Sequence, residues 1–209
     1  MGGPFNIDSP FMSFLSKIAD LIILNLLVVI CSIPVVTVGA SWTAMYYVLM
    51  RIRNDETTSV TKDFFYAFKL NFKQATILWA FFLVVIAVLV IEYVYLFVVG
   101  LETIANIKIF VYVITALVLI SLAWSFALLS RYNNSIGRII LNSYLIGLTE
   151  FPCTLCMVVL MLLPVALALI FPGTVPVILL IGFSLTGYLE TLPFKRVFAK
   201  LESAQAENT

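Results

Sequence analysis

Residues 76–99 read TILWAFFLVVIAVLVIEYVYLFVV, with Glu92 as the one charged side chain. A helix needs about 20 consecutive, largely apolar residues to cross the roughly 30 Å hydrocarbon core of a bilayer. Lipid offers the backbone no hydrogen-bond partners, so a crossing segment of this kind must be helical. Toward the C-terminus, three further spans follow at 108–130, 143–171 and 174–193. Residues 100–107 and 171–176 are short connectors, and 131–142 is a longer one carrying Arg131 and Arg138. Residues 195–209 form a polar tail that frays beyond about Leu201.

Toward the N-terminus, residues 18–33 are apolar apart from Asp20, Asn25 and Ser32. Pro34 breaks the run, and a helix-compatible pattern resumes over 40–52. Two full spans need about 40 residues, slightly more than 18–52 contains. The stretch therefore fits one span plus an interfacial helix, or a short hairpin turned at 34–39. The hairpin is favoured because the turn is uncharged and rich in breakers. Gly39, Ala40, Ser41, Thr43 and Ala44 would also let a short second helix pack closely on a neighbour. The start of the chain has no basic region before Lys17 and no small-x-small cleavage pattern, so no cleaved signal peptide is expected. Gly2 is followed by Asn6 rather than Ser or Thr, which argues against myristoylation.

The connector 54–74 is the longest polar insertion. It opens with Asn54-Asp55-Glu56 and ends in an amphipathic segment from Lys62 to Gln74. At about 100° per residue, Phe64, Phe65, Phe68 and Phe72 share one arc, with Lys62, Lys69 and Lys73 on its flank. That pattern predicts a helix lying in the cytoplasmic membrane interface, on the bilayer or in a partner groove. If the spans alternate, Arg51, Arg53, Lys62, Lys69, Lys73, Arg131, Arg138, Lys195, Arg196 and Lys200 share one side, and only Lys108 lies on the other. The positive-inside rule makes the first side cytoplasmic, together with the C-terminus. The hairpin places Lys17 and the N-terminus there too.

Composition supports the same class. Of 209 residues, 63% are hydrophobic and 11% charged, and the mean hydropathy is +1.12. Soluble domains run at about 45–50% apolar and about 25% charged. A soluble domain, a disordered chain and a disulfide scaffold are excluded, and a net charge of +1 gives no sign of nucleic-acid binding. The fold class is an all-α membrane protein: one membrane domain over 1–209, a polytopic bundle of six segments (five if 18–52 is a single span), and an amphipathic cytoplasmic helix.

There is no histidine, so His-based triads, HExxH sites and His-ligated haem are impossible within this chain. Cys153-x-x-Cys156 with Cys31 is too few ligands for a zinc site and reads as apolar filling. No P-loop, dinucleotide loop or selectivity-filter string is present, so no metal, cofactor or catalytic residue is expected.

Ionisable and strongly polar residues in spans are candidates for function. Asp20 follows Lys17 by three residues and can pair with it on one helix face, or tie to another helix with Asn25. Glu92 has no basic neighbour in sequence; it snorkels past Tyr93 and Tyr95, faces a wet cavity, or pairs from a distance. Glu150 and Glu190 each precede a proline near an inner helix end, where charge is cheap, and Lys195 and Arg196 can balance Glu190. Alternatively the two line a cytoplasm-facing vestibule.

Ser9-Pro10-Phe11, Lys17-Ile18-Ala19-Asp20-Leu21, Pro34 through Ser41 with Thr43-Ala44, Arg53-Asn54-Asp55-Glu56, Asp63-Phe64-Phe65 and Phe68 through Ala75 carry a family likeness. On these residues, within roughly the first 80, the chain resembles the YesL-like family of bacterial integral membrane proteins, a domain of unknown function. The resemblance implies neighbours that are carbohydrate ABC importers and polysaccharide-utilisation genes, hence an accessory role in sugar uptake. It carries over no site residues. The chain lacks the EAA-type loop by which permeases engage their ATPase. The expected function is a non-enzymatic accessory or scaffold subunit in the plasma membrane, contacting lipid and a carbohydrate ABC transporter or sensor kinase. The alternative is a small-solute or ion-coupled transporter using Glu92, with Asp20 and Asn25 along the path.

Overall fold

The computed structural model describes residues 10–99, 105–132 and 134–206. The readings on Gly2, Asn6 and Ser9, and on residues 100–104 of the outer connector, lie outside the described residues. Six helices among those described are long and apolar enough to cross a membrane, and no strand occurs among them. The fold is an all-α polytopic bundle.

Helices α1 (Pro10–Cys31) and α2 (Val38–Arg53) form an antiparallel hairpin, so 18–52 is two segments. Pro34 is extended (φ −73°, ψ 114°) and ends the first helix, as its ring requires. Thr37 Oγ1 caps the turn, donating to the carbonyls of Cys31 (2.5 Å) and Pro34 (2.7 Å). The small residues of α2 are buried. A Cβ on Gly39 would lie 2.6 Å from both the Ala75 carbonyl oxygen and Trp79 Cβ, so only glycine permits this approach to the next helix.

Helix α3 (Val60–Val99) is 40 residues long, about 60 Å from end to end. Residues 62–74 are therefore not a separate interfacial helix. No glycine or proline lies between Lys73 and Ile77, and the buried face runs through Phe64, Ala67, Ala75, Leu78 and Phe82 without a change of register. The polar connector shrinks to residues 54–59. Helix α4 (Ala105–Arg131) returns beside α3. Phe126 meets the rings of Trp79 and Phe82 at 6.2 and 6.1 Å, and Gln74 donates to the carbonyl of Asn134.

The expected span 143–171 is divided. Helix α5 (Ile136–Thr149) takes up most of the connector 131–142, and α6 (Phe151–Ile170) begins after a break at Glu150 (φ −108°, ψ 47°). Pro152 has no N–H to continue the ladder of α5 but fits the first turn of a new helix. Pro164 lies inside α6 without ending it. A 3₁₀ turn (Pro172–Thr174), the single turn α7 (Val175–Val177) and a π-helical turn (Ile178–Gly182) lead into α8 (Phe183–Ala206). Residues 195–206 thus continue α8, which carries helix five residues past Leu201, where fraying was expected. Phe194, Val197 and Phe198, buried in the core, anchor the start of this segment.

The core lies where α2 is surrounded by α1, α3, α4 and α8. Trp79 Nε1 donates to the carbonyl of Val35 at 2.7 Å, which sets the α1–α2 turn beside Trp79. Residues 80–99 add about 30 Å of α3 beyond that level. With the antiparallel start of α4 they form a two-helix arm. Only 11% of the apolar window of α3 is buried, against 56% for α2.

Candidate functional site

The polar residues of the spans fall into separate clusters, and each is built by a different helix contact. The first joins α1 to the last crossing. Asn25 is fully buried. Its Nδ2 donates to the carbonyls of Ile178 (3.1 Å) and Leu179 (2.7 Å), and its Oδ1 accepts from Ser184 N (2.9 Å). Ser184 Oγ donates to the Leu21 carbonyl at 2.7 Å. The π turn displaces the ordinary i to i−4 rungs, and the Asn25 amide supplies a donor and an acceptor in their place. Every polar atom of Asn25 is therefore engaged in tying α1 to α8.

The second cluster centres on Glu190, which is 2% exposed. The reading of Glu190 as an interfacial helix end balanced by Lys195 and Arg196 is corrected: α8 continues past Pro193, so the carboxyl lies inside the bundle. Its Oε2 accepts from Tyr46 OH at 2.6 Å. Trp42, Met45, Met161, Phe183, Thr186 and Gly187 close a small void beside it. One residue on, Thr191 accepts from Arg53 Nε. Arg53 Nη2 also donates to the Tyr188 carbonyl (2.6 Å), and its guanidinium stacks 4.2 Å from the Tyr188 ring. Lys195 turns away to Asn54 Oδ1 (3.1 Å).

A third cluster links α4, α5 and α6. Ser121 meets Ser143 at 2.9 Å, and Trp124 Nε1 donates to Thr154 Oγ1 at 2.9 Å. Thr154 in turn donates to the Gly147 carbonyl, which satisfies the end of α5. Beside it Glu150 pairs with Lys200 of α8. Glu150 and Glu190 thus belong to different contacts and do not form one vestibule.

Residues 51–56 fasten the basic end of the bundle. Arg51 Nε reaches Asp63 at 3.1 Å and its Nη2 donates to the Glu56 carbonyl. Asp55, in the left-handed region (φ 57°), pairs with Lys17 at 2.9 Å. Aspartate tolerates that conformation better than most residues. Lys17 therefore pairs with Asp55 rather than Asp20. Asp20 instead lines an open cleft of about 390 Å³ with Ser13, Ser16, Lys17, Asp55 and Thr57.

Glu92 lies elsewhere. It is exposed on the arm, in an apolar groove of about 280 Å³ between α3 and α4 lined by Val85, Val88, Leu89, Phe110, Val111 and Ile114. It makes no ion pair among the described residues. Asp20, Asn25 and Glu92 do not share a cavity, so they do not line one path.

The aromatic stripe is also divided. Phe64 is wholly buried, packed edge-on to Phe65 and stacked on Phe68, while Phe65 and Phe72 are each 40% exposed. Lys62, Lys69 and Lys73 are exposed on the opposite face of α3. The stripe as a whole is not free for a partner because its first member is part of the α2–α3 core. No three His, Cys, Asp or Glu side chains gather into a metal-binding group among the described residues.

Sequence reasoning did not single out Tyr46, Ser184 or Thr191 as partners of these candidates. Only Arg53 was flagged, as a charge at a helix end; nothing local in the sequence links it to α8.

Residues 21–93 match the family described as Protein of unknown function, DUF624. The match takes in the second half of α1, all of α2 with the loop 54–59, and α3 as far as Tyr93. No curated protein and no solved structure matches the chain.

Proposed function

We propose that this chain is a non-enzymatic accessory or scaffold subunit of the bacterial plasma membrane, attached to a carbohydrate ABC importer or its regulation. The observation that carries the reading is the α3–α4 arm. It extends about 30 Å past the α1–α2 turn and leaves most of its apolar window uncovered. A monomer gains nothing in its own fold from so long an exposed hairpin, whereas a scaffold gains an apolar surface for another protein. In this reading the end bearing Lys17, Arg51, Arg53, Lys195 and Lys200 is cytoplasmic, with both termini inside. The sugar-uptake context comes from the likeness to the YesL-like family. The transport alternative lacks comparable support, since Glu92 faces outward from the bundle and Asn25 has no hydrogen-bonding group left for a solute.

Photo-crosslinking in native membranes tests the reading. A photoreactive residue at Val84 or Ile91 of the arm is expected to capture one transporter subunit. The same residue at Leu162 of α6 is expected to capture none. Equal yields from both faces, or lipid adducts alone at Val84 and Ile91, would refute the arm as the docking element.

A further inference from the structure

We infer that the cleft between α1 and the loop 54–59 binds a small hydroxylated primary amine, with Asp20 as the counter-ion of its ammonium group. The cleft lies at the far end of the α1–α2 hairpin from the arm and is independent of what the arm docks. Its volume, about 390 Å³, falls in the range of small-molecule pockets. One wall is α1, where Ser13, Ser16, Lys17 and Asp20 recur at spacings of three or four and so share a face. The other wall is the loop. Asp55 N donates to the Ile52 carbonyl at 3.2 Å and Glu56 N to the Arg51 carbonyl at 2.9 Å, which shapes this wall without a ligand. Lys17 ties the two walls together through Asp55. All six residues of the loop are polar, so the cleft is reached from water.

The charges select the ligand. Lys17 and Asp55 neutralise each other, and Arg53 turns to Thr191 and Tyr188 of α8. Asp20 is half-buried and makes no hydrogen bond or ion pair among the described residues. The cleft therefore carries one uncompensated negative charge. An ammonium group supplies both the opposite charge and a charge-assisted hydrogen bond. An anion would meet Asp20 and Asp55 together, and a neutral polyol would leave Asp20 unpaired. A hard metal ion takes about six oxygens at close range, and one free carboxylate does not assemble such a shell. Ser13 and Ser16 are exposed, and their hydroxyls both give and accept hydrogen bonds, as ligand hydroxyls do. Ser13 lies about 10 Å from Asp20 along α1, which a six-carbon chain spans with a hydrogen bond at each end. Thr57 adds an independent mark. Its Oγ1 is buried at the cleft wall with no hydrogen-bond partner among the described residues. An unmade bond of this kind is costly, and a ligand acceptor toward which the hydroxyl turns relieves it.

The test is equilibrium dialysis of the intact chain in detergent micelles against glucamine, sorbitol and gluconate. These are linear polyols with one carbon skeleton, ending in an ammonium, a hydroxyl and a carboxylate. Glucamine is expected to bind about tenfold more tightly than sorbitol, the gain for one hydrogen bond between charged groups, and gluconate more weakly than either. Asp20→Asn keeps the side-chain shape and removes the difference between glucamine and sorbitol. Thr57→Val weakens both ligands and leaves the thermal melt of the ligand-free chain no lower, because its hydroxyl has no bond to lose. Glu92→Gln, on the arm, binds as the wild type does. Equal binding of glucamine and sorbitol by the wild type, or binding of none of the three at millimolar concentration, overturns the proposal. So does a glucamine preference that survives Asp20→Asn, or tightest binding by gluconate, which would make Lys17 the anchor.

Discussion

Replacing Asn25 by leucine keeps the side-chain volume but removes three hydrogen bonds at once. The carbonyls of Ile178 and Leu179 lose a donor, and Ser184 N loses an acceptor. All three belong to a helix whose own ladder is displaced by the π turn, so no intrahelical partner takes over. Polar contacts between membrane helices average about 0.6 kcal/mol and reach about 1.7. Three of them give roughly 2 kcal/mol. For a chain of this size, each kcal/mol lowers the melting temperature by about 2–4 °C, so a fall of roughly 4–8 °C is expected. Intrinsic tryptophan fluorescence during heating in a mild detergent measures it. Thr186→Val is the control, because among the described residues Thr186 bonds to the carbonyls of Gly182 and Phe183, one turn back along the same crossing. If Asn25→Leu melts with Thr186→Val and the wild type, the amide does not hold the π turn and the account of the α1–α8 contact is wrong.

Gly39→Ala places a methyl 2.6 Å from the Ala75 carbonyl and should cost about 1–3 kcal/mol by overpacking. Gly137→Ala, with nothing within 4 Å, should be neutral or stabilising in the same thermal melt. Tyr46→Phe removes the donor on the buried Glu190 carboxyl and should cost about 1–3 kcal/mol. Combining it with Glu190→Leu should cost less than the two single changes added together, as a double-mutant cycle would reveal. Lys200→Ala breaks an exposed ion pair and should shift detergent unfolding by under about 1 kcal/mol. Arg53→Ala, which strips contacts to Thr191 and Tyr188, should shift it more.

Much of the fold was legible because lipid imposes a simple rule. Runs such as 76–99 and 108–130 admit only helix, and Pro34 in an uncharged turn announces a hairpin. The amphipathic segment 62–74 was read correctly as helical, but hydropathy alone cannot tell whether such a segment is joined rigidly to the next span. Continuity is decided by α2, whose small residues let Phe64, Ala67 and Ala75 pack in one register. The division at Glu150 was concealed because Phe151-Pro152 interrupts a chain that stays apolar on both sides.

The candidate residues were visible as isolated charges or amides in apolar runs, and their partners were not. Asn25 and Ser184 are 159 positions apart, and Tyr46 and Glu190 are 144 apart. Sequence spacing carries no information on such pairs. Glu190 left its expected interfacial setting for that reason, while Glu92 kept no ion-pair partner among the described residues. One is enclosed because α8 continues past Pro193, and the other is exposed because α3 and α4 outrun the bundle.

Affinity purification of the tagged chain from native membranes in a mild detergent, followed by quantitative mass spectrometry, tests the central claim most directly. A transporter subunit or sensor kinase is expected in stoichiometric amount, displaced by bulky polar substitutions at Val84 and Ile91 of the arm. A monodisperse chain that carries no partner, and that moves solute on its own in proteoliposomes, would contradict it.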